Sequence, residues 1–167
     1  MWFDRNCEEA LNFYTSIFSA KGGSASGGKN SRIISIKRYE EDIPQSGVTG
    51  MKGKILTAVF ELEGQRFMAL DGGPTFKPSP ATSFYIECKD QDEVDHYWNR
   101  LTEGGDPQMQ QCGWVQDKYG FCWQIVPEIL PRLLNDPDKA KADKALQAML
   151  QMKKIDIAKL KEAYETA

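Results

Sequence analysis

A single histidine, His96, stands in a chain of 167 residues. Zinc enzymes usually hold their metal with two or three imidazoles, so a histidine-rich metal centre is excluded. The four cysteines, Cys7, Cys88, Cys112 and Cys122, contain no C-x-x-C pair, which removes zinc-knuckle and thioredoxin-type motifs. They read as free thiols of a reducing compartment, and a cytoplasmic protein is expected. Long apolar runs are missing too. The most apolar stretch, residues 55–60, is far short of the ~20 residues of a membrane span, and residues 1–5 place charges where a secretory signal needs an apolar core. Nor is there an excess of basic charge: 21 Lys and Arg against 24 Asp and Glu leave a net charge of −3. Neither nucleic acid nor membrane is an expected partner. The length suits one compact domain with a substantial core.

What is present is a repeated pattern. Residues 8–18 carry apolar groups at Ala10, Leu11, Tyr14, Ile17 and Phe18, the spacing of a helix with one buried stripe. Asn6, with Glu9 three residues on, is the expected N-cap. Residues 92–101 repeat the arrangement with Asp90 as cap and Val94, Tyr97, Trp98 and Leu101 as stripe. The two helices are offset by about half the chain, and each follows a strand-like run and precedes β signals. The chain therefore reads as two similar modules.

The β signals include two hairpins. Residues 54–62 and 65–71 flank Glu63-Gly64, and residues 112–116 and 121–126 flank Asp117-Lys118-Tyr119-Gly120. Glycine-rich residues 22–28 and residues 40–53 read as mobile loops. After Pro127 the composition turns to Ala, Leu, Lys and Met. Leu146, Met149 and Leu150 form one amphipathic stripe, and Ile157, Leu160 and Tyr164 another, with Asp156 as a cap. This stripe is expected to pack at a subunit interface or to brace the domain beside it.

Strand parity assigns faces. Leu56, Ala58, Phe60 and Leu62, then Met68 and Leu70, then Phe84, Ile86 and Cys88, then Trp123 and Ile125 make an apolar face suited to the two helices. The opposite faces mix polar and aromatic groups: Thr57, Val59 and Glu61; Phe67, Ala69 and Asp71; Ser83, Tyr85 and Glu87; Cys122, Gln124 and Val126. Such a face is solvent-exposed sheet or the lining of a cleft.

Residues 112–127, CGWVQDKYGFCWQIVP, resemble the signature of the PhnB-like branch of the vicinal oxygen chelate superfamily, which includes glyoxalase, bleomycin-resistance and extradiol dioxygenase proteins. Residues 67–74, FMALDGGP, and 147–157, QAMLQMKKIDI, are similar to the same branch. Its members often carry the name 3-demethylubiquinone-9 3-methyltransferase. The resemblance implies an α+β fold of paired βαβββ modules over residues 1–127 (1–78 and 79–127), with residues 128–167 a helical extension of the same domain. It also implies a homodimer, and it turns the mixed faces into cleft lining, with Thr57, Glu61, Phe67, Ala69, Asp71, Ser83, Tyr85, Glu87, Trp114 and Gln124 as candidate ligand contacts. Metal-dependent members carry four His, Gln or Glu ligands. Matched residue by residue, three of those positions fall at Ala69, Ser83 and Gln124, and the fourth would precede Met1. Alanine cannot ligate, and serine and glutamine are weak neutral ligands for a divalent ion. The expectation is a small organic ligand, no resident metal and no other cofactor.

Other chemistry weighs less. Residues 23–30, GSASGGKN, nearly spell a phosphate-binding loop, but Asn30 replaces the hydroxyl that would bind Mg²⁺, and the segment follows a helix rather than a strand. His96 is expected on the outer side of its helix, away from any proton-transfer position. Glu61, Asp71 and Glu87 could serve an alternative, a metal-dependent lyase or dioxygenase, or could be solvated carboxylates. A methyltransferase, the alternative in the family's name, usually needs a glycine-rich loop between strand and helix, which is not seen.

Overall fold

The computed structural model describes residues 1–19, 31–43 and 49–166. They form two compact units, Met1–Pro78 and Ser79–Ala167. In the first unit, β1 (Trp2–Phe3), α1 (Cys7–Ser19), β2 (Arg32–Arg38), β3 (Ile55–Leu62) and β4 (Gln65–Asp71) build a four-stranded sheet of order β1-β4-β3-β2. This is the βαβββ order read from the sequence. Glu63 (φ 48°) and Gly64 (φ 86°) both take the left-handed conformation of a two-residue type I′ hairpin turn. The turn pairs Leu62 with Gln65, Phe60 with Phe67, and Ala58 with Ala69.

That register corrects the face assigned to β4. Directly paired residues share a face, so Phe67, Ala69 and Asp71 lie with Ala58 and Phe60, and not on the opposite face. The rings of Phe60 and Phe67 stack with centroids 5.3 Å apart. α1 packs on β2, β3 and β4, and its Ala10, Leu11, Tyr14, Ile17 and Phe18 are buried together with Ala58, Phe60 and Ala69. Each large apolar side chain buried this way contributes roughly 1.5–3 kcal/mol. Met68, expected on the core side, is instead 62% exposed.

The second unit has β5 (Ser83–Cys88), α2 (Gln91–Leu101), β6 (Trp114–Gln116), β7 (Cys122–Pro127), α3 (Ile129–Leu134), α4 (Lys139–Leu150) and α5 (Ile157–Glu165). Its three-stranded sheet runs β5-β7-β6, with β5 parallel and β6 antiparallel to β7. Where the first module has β2, this one has a single 3-10 turn, Pro107–Met109, capped by Asp106. Proline has no N–H to give a ladder, which favours the turn over a strand. Asp90 caps α2 by accepting from Glu93 N at 3.0 Å, and the Glu93 carboxylate accepts from Lys89 N at 2.8 Å, a variant of the capping box in which the returning bond goes to the residue before the cap. Val94, Tyr97, Trp98 and Leu101 are buried, as their spacing predicts, beside Ile86, Val115, Trp123 and Ile125.

Asp117 organises the β6–β7 turn. Its buried carboxylate accepts from Tyr119 N at 2.9 Å, Phe121 N at 3.0 Å and Trp123 Nε1 at 2.8 Å. The C-terminal segment braces this same unit. Val126, Leu130, Leu133, Ala145, Ile155 and Leu160 form one buried cluster, with Met149 and Tyr164 packed against it. Main-chain bonds join Cys112 N to Met152 O (2.9 Å) and Gly113 N to Lys153 O (2.8 Å). Gln91 clamps the start of α5, donating to Ile155 O and accepting from Ile157 N. Asp156 caps α5 through Lys159 N, as read from the sequence. Leu150, expected in the buried stripe, is 43% exposed.

The glycine-rich residues 22–28 and the loop-like residues 23–30 lie outside the described residues. Within residues 40–53, the described part is held together, since Asp42 accepts from the main-chain N–H groups of Gly50, Met51 and Lys52.

Candidate functional site

In the second unit, α2 covers one side of the sheet and leaves the other side to polar and aromatic groups. Parallel pairing sets Ser83 beside Cys122, Tyr85 beside Gln124, and Glu87 beside Val126. Antiparallel pairing sets Trp114 on the far side of Gln124, and Gln116 on the far side of Cys122. Tyr85, Gln124 and Trp114 thus form one row across three strands. Five of the residues expected at a site, Ser83, Tyr85, Glu87, Trp114 and Gln124, share this face.

Gln124 Nε2 donates to Ser83 Oγ at 2.7 Å. The hydroxyl, having accepted there, keeps its own proton for a further bond, and the Gln124 carbonyl remains an acceptor beside it. Tyr85 is 53% and Trp114 37% exposed, so both present ring surface. Burial first, then the charges of Glu87 and Cys88, push the Tyr85 phenol above its ordinary pKa, which keeps it a neutral hydroxyl. Gln116, which sequence reading passed over, donates from Nε2 to Gly120 O at 3.1 Å and approaches Cys122 Sγ at 3.9 Å. Its parity with Trp114 on β6 is the signal that would have found it. Burial raises the Cys122 thiol, so it is a poor nucleophile.

The first unit distributes its candidates differently. Thr57 and Glu61 share the face opposite α1, where Glu61 lies 3.7 Å from Arg66 Nε. Phe67, Ala69 and Asp71 are on the helix-covered face. Asp71, 2% exposed, serves the start of α1, because its carboxylate accepts the main-chain N–H groups of Arg5 and Cys7. It thereby takes over the capping expected of Asn6, whose Oδ1 is buried without a hydrogen-bond partner. Burial nevertheless raises the Asp71 pKa, outweighing those two donors. Burial, helped by the Asp71 charge, pushes the neighbouring Cys7 thiol up to about 12. Asp71 and Glu61 occupy opposite faces of their sheet and do not form an acid–base pair.

Ala69 offers no donor atom, and Ser83 and Gln124 are bonded to one another. Among the described residues no three His, Cys, Asp or Glu side chains gather as a metal-holding group. His96 is half-buried with its ring edge-on to Tyr97, at a centroid distance of 5.1 Å. A groove of about 440 Å³ lies at the starts of α2 and α5, with Ile129, Ile157 and Ala158 among its walls and Lys89 and Lys161 beside them. Both helix starts there are already capped by carboxylates, Asp90 and Asp156. No described helix is long and apolar enough to cross a membrane.

The PhnB protein from Bacillus cereus is similar over 76% of this chain and 95% of its own, at 34% identity and a TM-score of 0.61. Protein PA1353 from Pseudomonas aeruginosa shares the fold, at 21% identity over 77% of this chain and 93% of its own, with a TM-score of 0.55. No curated protein sequence matches the chain significantly. The family described as 3-demethylubiquinone-9 3-methyltransferase matches residues 1–126, nearly all of both modules. Together with the module order and the α+β fold, that match makes this chain a member of the PhnB-like 3-demethylubiquinone-9 3-methyltransferase family.

Proposed function

We propose that this chain binds a small organic molecule on the open face of β5, β6 and β7, as a homodimer and without a resident metal. One observation carries the reading. Ser83, Tyr85, Glu87, Trp114 and Gln124 come from three strands yet share the face that α2 leaves uncovered, joining two aromatic surfaces to a hydroxyl–amide pair. Aromatic area with a few placed polar groups is the usual composition of a small-molecule site. The donor set supports metal-free binding, because the two matched positions on this face, Ser83 and Gln124, are weak neutral ligands bonded to one another, and Ala69 lies on the helix-covered face of the other unit.

Transfer chemistry, although it is in the family's description, gains no support from the strand-to-helix connections. Among the described residues these are Asp4-Arg5-Asn6 in the first unit and Lys89-Asp90 and Glu128 in the second, and none contains glycine. A thermal-shift screen of a metabolite library, run with and without divalent ions, tests the proposal. Hits that stabilise the wild type but not a Tyr85→Leu/Trp114→Leu variant are expected, with no dependence on the ions. Stabilisation that requires Mn²⁺, Ni²⁺ or Zn²⁺ would establish the metal-dependent lyase or dioxygenase reading instead. Sedimentation velocity decides the dimer.

A further inference from the structure

We infer that the ligand of this face is an organic cation, a small molecule bearing an alkylated ammonium group. The inference rests on the reading of the face as a binding surface and adds the chemical class. None of the residues of β5 (SFYIEC), β6 (WVQ) and β7 (CWQIVP) is basic, and the one charged group among them is the carboxylate of Glu87. Glu87 is exposed and lies two residues along β5 from Tyr85, therefore on the same face, where Gln116 and the buried Cys122 add no charge; Val126, paired with Glu87, is taken up in the C-terminal cluster. Tyr85 and Trp114 flank Gln124 in one row, two strand spacings or about 9.6 Å apart.

Three features of that arrangement favour a cation. The faces of aromatic rings carry the negative lobe of the quadrupole and attract alkylammonium groups, tryptophan most strongly. The Glu87 carboxylate adds net negative charge beside them. No cationic side chain on the three strands competes for either. An anion would meet Glu87 and two aromatic rings with no counter-charge on the three strands, and a neutral apolar molecule would gain nothing from Glu87. The hydroxyl of Ser83 and the carbonyl of Gln124 lie one strand position from the rings, where they can bond a polar group attached to the ammonium.

The test uses the full chain and two probes of matched shape, choline and its neutral isostere 3,3-dimethylbutan-1-ol. Binding is followed by the NMR shift of the Trp114 indole N–H, assigned by its loss in Trp114→Phe. Choline is expected to bind about 2- to 5-fold more tightly than the alcohol, the factor that a cation–π contact at an exposed site supplies. Glu87→Gln should weaken choline by a similar factor and leave the alcohol unchanged. Vesicles of phosphatidylcholine, which carry the same head group on a membrane, should not move the signal. Equal affinity for the two probes, or indifference of choline to Glu87→Gln, overturns the cation assignment while leaving the face as a binding surface. Binding to the vesicles overturns the small-molecule assignment. If neither probe shifts Trp114, the inference fails, and the library screen on the Tyr85→Leu/Trp114→Leu variant separately decides whether the face binds anything.

Discussion

Replacing Asp117 should unfold the second unit at much lower denaturant concentration, and the size of the effect follows from its three bonds. The carboxylate is 2% exposed and accepts from Tyr119 N, Phe121 N and Trp123 Nε1 at 2.8–3.0 Å. Hydrogen bonds to a charged group contribute about 1.5–3 kcal/mol each. In Asp117→Ala all three donors lose their acceptor. The two turn amides are part-buried, so water replaces some of that loss, whereas the indole N–H is buried. The net cost is therefore roughly 3–5 kcal/mol, a large share of the ~5–15 kcal/mol that stabilises a typical domain. For a chain of this size that corresponds to a fall in Tm of roughly 6–20 °C. Asp117→Asn keeps one acceptor oxygen and should cost only about 1–2 kcal/mol. Urea unfolding followed by circular dichroism measures both. Combining each variant with Trp123→Phe isolates the indole bond, with an expected coupling of about 1–2 kcal/mol. If Asp117→Ala lies within about 0.5 kcal/mol of wild type, the turn is held by something other than this carboxylate, and the reasoning is refuted.

Asp71 gives a pH signature. Its folded-state pKa is raised, so the folded chain holds that proton more tightly than the unfolded chain does. Its contribution to stability is therefore present at low pH and lost as the pH climbs from the ordinary carboxylate value through the raised one. Relative to Asp71→Asn, wild type should lose stability across that window, and a pH-independent difference in urea midpoints would contradict the assignment. Gly113 (φ +85°) has no room for a side chain, since a Cβ would sit 2.8 Å from Ile125 O and 3.3 Å from Ile155 Cγ1. Gly113→Ala should cost roughly 2–4 kcal/mol and open the C-terminal helices to limited proteolysis. Gln91→Ala removes the bonds to Ile155 O and Ile157 N and should cost about 1–2 kcal/mol, read as faster hydrogen exchange at the Ile157 amide.

Local features were legible in the sequence, and non-local ones were not. The caps Asp90 and Asp156 bond amides three residues away, so residue type and spacing suffice to place them. The cap on α1 comes instead from Asp71, across the sheet, and nothing near Asn6 announces it. β4 misled because both of its faces are apolar, Phe67 and Ala69 on one and Met68 and Leu70 on the other, so alternation names no inside. The information was nonetheless present in the turn. A two-residue hairpin through Glu63-Gly64 pairs Leu62 with Gln65 and so sets Phe60 against Phe67. In the second unit the faces were legible because Phe84, Ile86, Trp123 and Ile125 contrast with Ser83, Glu87 and Gln124. The missing second strand of that module was not, because loss of a strand leaves only one proline and an Asp cap as its trace.

The bracing of the second unit by its C-terminal helices sets a timetable for the nascent chain. Residues 1–78 hold every element of the first unit, which is ready to fold as soon as β4 has cleared the ribosome. The second unit must wait, because Val126 and Leu130 find their neighbours only when Ile155 and Leu160 have been made. At ~5–20 residues per second, that leaves a few seconds during which a finished β7 is tethered to an unfinished apolar cluster. Ribosome-bound chaperones would meet their exposed surface in that interval, and a stop codon between β7 and α5 would make the interval permanent.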